Sequence, residues 1–181
     1  MKNQLSQNSY VIIDDFVTPK RAKALAHKMA DVYKQHPQDF IMDKQCPSSV
    51  AIYDMWAFVE LLVEKTPLIA SITEEPMFPT YSYARMYKNG ETLKRHTDRG
   101  ACEVSVTLNL SNDGVEWPIY FETPNKKVVG LNLKPGQAAV YLGCVAPHWR
   151  DVYEGTDYTQ VFLHYVRARG ENRHCYFDKR R

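Results

Sequence analysis

Residues 104–111 read VSVTLNLS, and this stretch decides the fold class. Its apolar and polar residues alternate, with Val104, Val106, Leu108 and Leu110 on one face and Ser105, Thr107, Asn109 and Ser111 on the other. Successive side chains of a strand point to opposite faces of its sheet. The alternation therefore predicts a β-strand with one face in the core. On a generic antiparallel sheet the polar face would meet solvent.

Further strand candidates flank this stretch from about residue 81 onward. They cover residues 81–87, 119–122, 128–133, 138–142 and 158–166. Turn residues separate them at short intervals, as in Lys88-Asn89-Gly90 and Lys134-Pro135-Gly136. Many short strands with frequent turns are typical of an antiparallel all-β unit of the jelly-roll type.

The N-terminal part of the chain follows a helical pattern after a short strand at residues 10–14. Thr18 can cap a helix and Pro19 suits its first turn. The buried stripe of this helix is predicted to contain Ala22, Leu25, Ala26, Met29 and Val32. A second helix is predicted from about residue 49 to 65, ended by Thr66-Pro67. Its expected buried residues are Ile52, Met55, Trp56, Val59 and Val63.

Together these elements predict an α+β protein with a jelly-roll core and the N-terminal helices packed on one sheet. At 181 residues the chain is expected to form a single domain, residues 1–181. Helical support would occupy about residues 1–80, and the β core about residues 81–170.

Composition narrows the class of partner. The chain has 23 Lys and Arg against 21 Asp and Glu, so its formal charge of +2 does not favour a polyanionic partner. The tail from Arg167 to Arg181 is locally basic, with six Lys or Arg and two acidic residues, a difference of +4. It could contact phosphates, but a solvated terminus is the expectation, and nucleic-acid binding is not.

Cysteine usage and hydropathy indicate the compartment. The four cysteines are scattered without a CxxC pair, at Cys46, Cys102, Cys144 and Cys175. Reduced thiols in a cytoplasmic protein are therefore expected. The first residues show no secretion signal, and no run of 18 apolar residues exists to span a membrane. The sequence does not indicate an oligomeric state.

The candidate metal ligands of this sequence lie in His96-Thr97-Asp98 and at the later His148. Two imidazoles and one carboxylate hold a non-haem Fe(II) on one face and leave the opposite positions open. Residues two apart on an extended segment share a face, about 6.6 Å apart, so His96 and Asp98 can converge on one ion. A lone His-x-Asp pattern is common by chance, so its surroundings determine its value.

Those surroundings resemble a known family, the 2-oxoglutarate- and Fe(II)-dependent dioxygenases, and within it the prolyl-hydroxylase-like branch. YVIIDDFVTPKRAKAL, residues 10–25, resembles the strand and helix that begin many such enzymes. RMYKNGETLKRHTD, residues 85–98, resembles the strand with the first two metal ligands. LKPGQAAVYLGCVAPHWRDVYEG, residues 133–155, resembles the segment of the distal histidine. The resemblance covers nearly the whole chain.

The resemblance implies a double-stranded β-helix core and His96, Asp98 and His148 as iron ligands. It also implies Fe(II), 2-oxoglutarate as cosubstrate, O2, and ascorbate as a supporting reductant. The implied reaction hydroxylates a C–H bond and releases succinate and CO2, with the metal and cosubstrate supplying the difficult step. Tyr87 stands where a tyrosine of this branch contacts the cosubstrate. The polar strip of Ser105, Thr107 and Asn109 would line the pocket, with the Thr159 hydroxyl assisting.

One departure from the branch concerns the far carboxylate of 2-oxoglutarate. The branch usually has Arg or Lys nine or ten positions after the distal histidine, where this chain has Asp157 and Tyr158. Arg150 is the first candidate to replace it, because it follows His148 by two and its planar fork suits a carboxylate. Asp157 could orient Arg150. The other candidates are Arg85, which shares a face with Tyr87, and then Arg99, Arg95 and Arg167.

His164 could substitute as the third ligand. If Asp157 and Thr159 face the pocket, however, strand alternation turns His164 away from it, so a packed histidine is expected. For the substrate, a peptide side chain or a small molecule is predicted. One alternative is an oxidative nucleic-acid demethylase, favoured only by the basic tail. Another is a non-catalytic metal-binding β-barrel protein, although structural zinc usually has four closed ligands and favours thiolates.

Overall fold

The computed structural model describes residues 1–178, so Lys179, Arg180 and Arg181 of the basic tail lie outside the described residues. The described α-helices are α1 (Lys2–Asn8), α2 (Pro19–Gln35) and α3 (Trp56–Thr73), and short 3-10 helices cover Pro37–Asp39, Gly100–Cys102 and Glu171–Cys175. The described strands are β1 (Tyr10–Ile13), β2 (Val50–Tyr53), β3 (Met77–Tyr87), β4 (Leu93–His96), β5 (Val104–Asn112), β6 (Ile119–Glu122), β7 (Val128–Leu131), β8 (Ala138–Tyr141), β9 (His148–Arg150) and β10 (Tyr158–Arg167).

The strands form two antiparallel sheets, which confirms the predicted α+β jelly-roll architecture. Strand order is β1-β8-β5-β10-β3-β2 in the larger sheet and β4-β9-β6-β7 in the smaller one. β5 lies at the centre of the larger sheet, paired with β8 on one side and β10 on the other. The stretch with the clearest alternation is therefore an interior strand, paired along both of its edges.

The helices cover the outer face of the larger sheet. The apolar face of β5 lies in one core cluster with Leu25 and Met29 of α2 and with Phe58 and Leu61 of α3. As predicted, α2 begins after Thr18, whose hydroxyl accepts a hydrogen bond from the Arg21 backbone N at 3.2 Å. The first predicted strand is also present, as β1. Helix α1 was not predicted from the sequence.

The second predicted helix was wrong at both ends. Residues 50–53 form β2, an edge strand paired with β3, and α3 begins only at Trp56 and continues to Thr73. Trp56 and Val63 are 53% and 48% exposed rather than buried. Pro67 lies inside α3, where it cannot donate to the Val63 carbonyl. The helix nevertheless continues to Thr73, so Thr66-Pro67 does not end it as predicted.

No helix within residues 1–178 combines the length and the apolar character needed to cross a membrane.

Candidate metal centre and barrel interior

A cavity of about 160 Å³ opens between the two sheets. The cavity is lined by residues of both sheets, of the loop before β2 and of the segment between β4 and β5: Asp43, Gln45, Tyr53, Tyr81, Tyr83, Arg85, Tyr87, Leu93, His96, Asp98, Cys102, Tyr141, His148, Phe162 and His164. The three predicted metal ligands are among them, together with two of the five predicted cosubstrate residues, Tyr87 and Arg85. Arg150, Thr159 and Asn109 do not line this cavity.

The structure brings His96, Asp98 and His148 together. His96 ends β4, His148 begins β9, and the two residues are partners in the antiparallel register. Asp98 Oδ1 lies 3.6 Å from His96 Nε2 and 3.6 Å from His148 Nε2. One donor atom from each residue therefore converges on a common point, as a metal with a facial ligand set requires.

Backbone carbonyls orient both imidazoles. His96 Nδ1 lies 2.7 Å from the Lys94 carbonyl, and His148 Nδ1 lies 2.9 Å from the Ala146 carbonyl. A carbonyl can only accept, so the proton of each neutral ring is on Nδ1 and the Nε2 lone pair points toward the shared position. Burial lowers the pKa of His148 and keeps that ring neutral, although the Asp98 charge opposes the shift.

A glycine makes room for the Asp98 carboxylate. The Asp98 backbone N donates to the Gly143 carbonyl at 2.8 Å. A Cβ at Gly143 would lie 2.5 Å from Asp98 Oδ2 and 2.9 Å from Ser105 Oγ, closer than a real Cβ can approach. Position 143 must therefore lack a side chain if Asp98 is to keep this orientation.

Arg85 and Tyr87 form one wall of the cavity. The Arg85 guanidinium contacts the Asp43 carboxylate, the Tyr83 hydroxyl at 2.8 Å and the Tyr87 hydroxyl at 3.2 Å. Burial opposes ionisation of Asp43, but hydrogen bonding from Tyr83 and the charge of Arg85 together hold its pKa below the ordinary value. Burial raises the pKa of Tyr87, so its hydroxyl stays protonated. Arg85 is thus a buried cation that already has a carboxylate partner.

Arg150 is equally buried but differently surrounded. It donates to the Trp117 carbonyl and, at 2.7 Å, to Gln160 Oε1, and it stacks 4.5 Å from the Trp117 ring centre. Among the described residues, no carboxylate forms an ion pair with it. The expectation that Asp157 orients Arg150 was wrong, since Asp157 instead lies 3.6 Å from Lys88 Nζ.

Unsatisfied polar atoms cluster beside Arg150. Within residues 1–178, the buried side-chain atoms without a hydrogen-bond partner are Arg85 Nε, Asn109 Oδ1, Arg150 Nε and Tyr158 Oη. All four belong to residues around Gln160: Arg85 and Asn109 are its register partners on the adjacent strands, Tyr158 precedes it by two, and Arg150 bonds its amide. We call Arg85, Asn109, Arg150, Tyr158 and Gln160 the barrel floor.

The inward face of β10 is the opposite of the one expected. Gln160 and Phe162 point into the barrel, and His164 lines the cavity, so His164 does not face away. Thr159 lies on the outer face, in a groove beside α2 with Asp157. A one-residue change of parity moves every side chain of a strand to the other face, and the sequence alone did not fix that parity. Asn109 lies in the barrel floor, where its amide donates to the Leu133 carbonyl at 2.7 Å.

The remaining candidate arginines have other partners. Arg95 pairs with Glu122 at 2.7 Å, and Arg99 pairs with Asp178. Arg167, at the start of the basic tail, contacts Glu103 and Glu75, the latter at 2.7 Å. Its charge is therefore compensated, which weakens the electrostatic case for a phosphate-binding tail. The four cysteines are free thiols, as expected.

Comparisons with known proteins place this geometry in context. No protein-family model and no curated protein sequence matches the chain. Among solved structures it is similar to a prolyl-4-hydroxylase from Pseudomonas putida, with TM-score 0.73 and 17% identity over 93% of this chain and 97% of that one. The carbocyclase SnoK of nogalamycin biosynthesis, described as non-haem and α-ketoglutarate-dependent, gives TM-score 0.77 and 10% identity over 92% and 82%. HygX from Streptomyces hygroscopicus, solved with nickel and 2-oxoglutarate, gives 0.73 and 10% over 92% and 86%.

At these identities the likeness is one of fold. The chain has the double-stranded β-helix fold of the 2-oxoglutarate- and Fe(II)-dependent oxygenases, and the resemblance seen in the sequence is confirmed at that level. Proteins with this fold include both a hydroxylase and a carbocyclase, so the fold alone does not select the reaction.

Proposed function

We propose that the protein is a 2-oxoglutarate- and Fe(II)-dependent oxygenase that hydroxylates a C–H bond of a peptide side chain or a small molecule. The observation that carries this proposal is the set of 3.6 Å distances from Asp98 Oδ1 to the Nε2 atoms of His96 and His148, inside a cavity of this fold. Three protein ligands leave positions open for a cosubstrate and oxygen, whereas a structural zinc site is closed by four.

The residues present fit iron. Both imidazoles present an Nε2 lone pair, and Asp98 supplies the negative charge that a divalent ion prefers. The cluster lies partly buried at the cavity wall, so a bound ion would be accessible to a substrate from one side only. When bound with 2-oxoglutarate, the iron would supply the oxygen activation that no protein side chain can.

The barrel floor is the proposed site for the far carboxylate of 2-oxoglutarate, with Arg150 as its main partner. Burying a guanidinium without a counter-charge is costly, and in the described chain Asp43 compensates Arg85 alone. One further carboxylate would balance Arg150. Three of the four unsatisfied atoms, Arg85 Nε, Arg150 Nε and Tyr158 Oη, can donate hydrogen bonds, which suits an acceptor such as a carboxylate.

Tyr87 would complete this binding site. Its hydroxyl accepts from Arg85 and keeps its own proton, because burial raises its pKa, so it can donate to a carboxylate. The two other predicted cosubstrate residues, Thr159 and Asn109, have smaller proposed roles in this site. Asn109 lies in the barrel floor, but its unpartnered Oδ1 is an acceptor and cannot donate to a carboxylate, and its amide N–H already donates to the Leu133 carbonyl. Thr159 lies outside the barrel and could act only indirectly.

The substrate is proposed to enter against an aromatic wall. Tyr53, Tyr81, Tyr83 and Phe162 line the cavity with the metal ligands, and the Tyr53 and Tyr83 rings lie 4.5 Å apart. Such a wall excludes water from the reacting centre and holds a ring or an apolar side chain by contact area. A nucleic-acid backbone would need uncompensated cations beside this wall, whereas Arg99, which stacks on the Tyr81 ring, is already paired with Asp178. The wall therefore suits a peptide side chain or a small molecule better.

The test is a coupled turnover assay. With Fe(II), oxygen, ascorbate and 2-oxoglutarate, the protein should form succinate slowly, and faster when a peptide or small molecule from a screening set is hydroxylated. Mass spectrometry of the accelerating compound should show the gain of one oxygen atom. Under anaerobic conditions, adding 2-oxoglutarate to the Fe(II)-loaded protein should give the weak visible charge-transfer band of the chelate.

His148→Ala is the matched control, because it removes one ligand near the metal but leaves the outer core intact. We expect no turnover and no charge-transfer band from it. Zn(II) should inhibit the parent, since it competes for the same nitrogen and oxygen ligands but cannot activate oxygen. Stoichiometric zinc in the purified protein without succinate under any mixture would favour the non-catalytic metal-binding protein. Oxidative loss of a methyl group from a nucleotide would favour the demethylase.

A further inference from the structure

Behind Asp98, on the side away from the two imidazoles, lies a second pair of polar side chains. Ser105 Oγ is 3.1 Å from Asp98 Oδ2, and His164 Nδ1 is 2.9 Å from Ser105 Oγ. Ser105 comes from β5 and His164 from β10, and the two are partners in the antiparallel register. Both are buried, so water does not compete for these hydrogen bonds.

The available donors and acceptors determine the direction of the hydrogen bonds among Asp98, Ser105 and His164. Asp98 is an acceptor when ionised, so the single Ser105 proton is donated to Oδ2. The Cys102 carbonyl also competes for this proton, but it is neutral and slightly farther away at 3.2 Å. The Tyr141 hydroxyl, which also contacts Ser105, is neutral as well, because burial raises its pKa. With its proton used, Ser105 Oγ accepts from His164, which places a proton on His164 Nδ1. Hydrogen bonds therefore run from His164 to Ser105 to Asp98.

The geometry divides the two Asp98 oxygens between different tasks. Oδ1 faces His96 and His148, while Oδ2 is held by Ser105 and packed against the space at Gly143 that a Cβ would fill. A carboxylate held in this way offers one oxygen to an ion rather than two. That restriction matters because a second coordinated oxygen would take a position that the cosubstrate or oxygen needs.

Resting on the proposed metal site, we propose that Ser105 and His164 are positioning residues that keep Asp98 a one-oxygen ligand. His164 lines the same cavity and its ring lies 4.5 Å from that of Tyr81. Its contact with Tyr81 of the aromatic wall therefore links the orientation of a proposed metal ligand to the surface that a substrate would touch. Outer partners of this kind typically change metal affinity by about 10- to 100-fold when removed.

The experiment measures Co(II) binding anaerobically by visible absorption, without turnover. Ser105→Ala should weaken Co(II) binding about 10- to 100-fold, because Asp98 is no longer held in its orientation. The shape of the visible bands should also change, because both Asp98 oxygens can then coordinate. His164→Phe keeps the ring contacts but loses the donor, so it should weaken binding about tenfold. His164→Asn restores a donor and should return to within about threefold of the parent. Ser82→Ala removes a buried hydroxyl bonded to Asp54 and should bind like the parent.

The outcomes distinguish the positioning role of Ser105 and His164 from the proposed metal site itself. If Ser105→Ala is folded in a thermal unfolding experiment and keeps the Co(II) affinity and the visible bands of the parent, the positioning role is overturned. The proposed metal site would not be affected by that result. A sulfur-to-cobalt charge-transfer band that disappears in Cys102→Ala would also overturn the positioning role, because His164 would then be a ligand in the cluster of Asp98, Cys102 and His164. If His148→Ala binds Co(II) as tightly as the parent, the proposed metal site itself fails. Weakening in both loss variants with rescue by His164→Asn supports the proposal.

Discussion

The two faces of β5 and β10 show how this barrel separates stability from chemistry. Outward, Leu108, Leu110, Val161 and Leu163 are packed into the apolar core beneath α2 and α3. Inward, the same strands present Ser105, Thr107, Asn109, Gln160 and His164, all buried and all polar. A sheet that must hold a polar site in its interior therefore depends on its other face for most of its hydrophobic stabilisation.

The inward face also contains the buried polar atoms that lack hydrogen-bond partners. The four unpartnered buried atoms of the described chain lie on this side, around Gln160, while the outward face consists of apolar contacts. Buried polar groups without partners cost free energy, and in native proteins they concentrate where a ligand or ordered water binds. The difference between the faces can be tested by changing one side at a time.

The largest expected effect on stability comes from the outward face. Leu163→Ala should lower the free energy of unfolding by about 2–5 kcal/mol, because it leaves a cavity in a fully buried layer. Urea unfolding followed by circular dichroism measures this loss. The remaining folded protein should bind Co(II) like the parent. A loss of metal affinity greater than about tenfold would show that the faces are not separable.

Most of the sheet architecture could be predicted from the sequence, because alternation and turn residues report the face of a strand and its ends. β5, β6 and β8 follow from local patterns of this kind, whereas the candidate ligands His96, Asp98 and His148 were predicted from their residue types and from the family resemblance. The parity of β10 did not, since Tyr158 to Arg167 is buried on both faces and so lacks a clean alternation. That one uncertainty reversed the positions expected for Thr159 and His164.

The other incorrect predictions concern residues whose positions depend on tertiary contacts. Residues 50–53 form a strand because β3 offers an edge there, a partner that the helical spacing of nearby apolar residues does not reveal. Asp43 belongs to no motif and reaches Arg85 from a loop 42 positions away in sequence. The parity of β3 could have pointed to a buried partner for Arg85, but not to which carboxylate supplies it.

The two buried arginines of the barrel floor should respond differently when each loses its charge. Arg150→Met should weaken 2-oxoglutarate binding at least about tenfold, because it removes the cation proposed to meet the far carboxylate. In the metal-free protein, the loss of the bonds to the Trp117 carbonyl and Gln160 Oε1 is partly offset, because a buried charge without a counter-charge is removed as well. The net loss of stability should therefore be about 1 kcal/mol. Anaerobic titration of the charge-transfer band and urea unfolding give the two quantities.

Arg85→Met is the matched variant, and it should behave differently. It leaves the Asp43 carboxylate without its cation, so it should destabilise the metal-free protein by about 1–3 kcal/mol, a range below that of a fully buried pair because Asp43 is 28% exposed. If Arg150→Met keeps the parent affinity for 2-oxoglutarate while Arg85→Met loses it, the far carboxylate binds Arg85 and the charge argument for the floor is wrong.

The smallest expected effect concerns the helices over the outward face, which an ion pair also joins. Arg21 of α2 donates to Glu64 of α3 at 2.8 Å, and this hydrogen bonding, reinforced by Lys65, lowers the pKa of Glu64 to about 2. A carboxylate with a depressed folded pKa adds stability above its unfolded pKa near 4.5, and that stability is lost as the pH falls toward 2. Both side chains are over 40% exposed, so screening limits the contribution to under about 1 kcal/mol.

Arg21→Ala should therefore cost less than about 1 kcal/mol of stability at pH 7, and its difference from the parent should narrow below about pH 4.5 and in 1 M salt. Urea unfolding across this pH range measures it, and a pH-independent loss of 2 kcal/mol or more would mean that Arg21 acts through packing of the helix layer rather than through its charge.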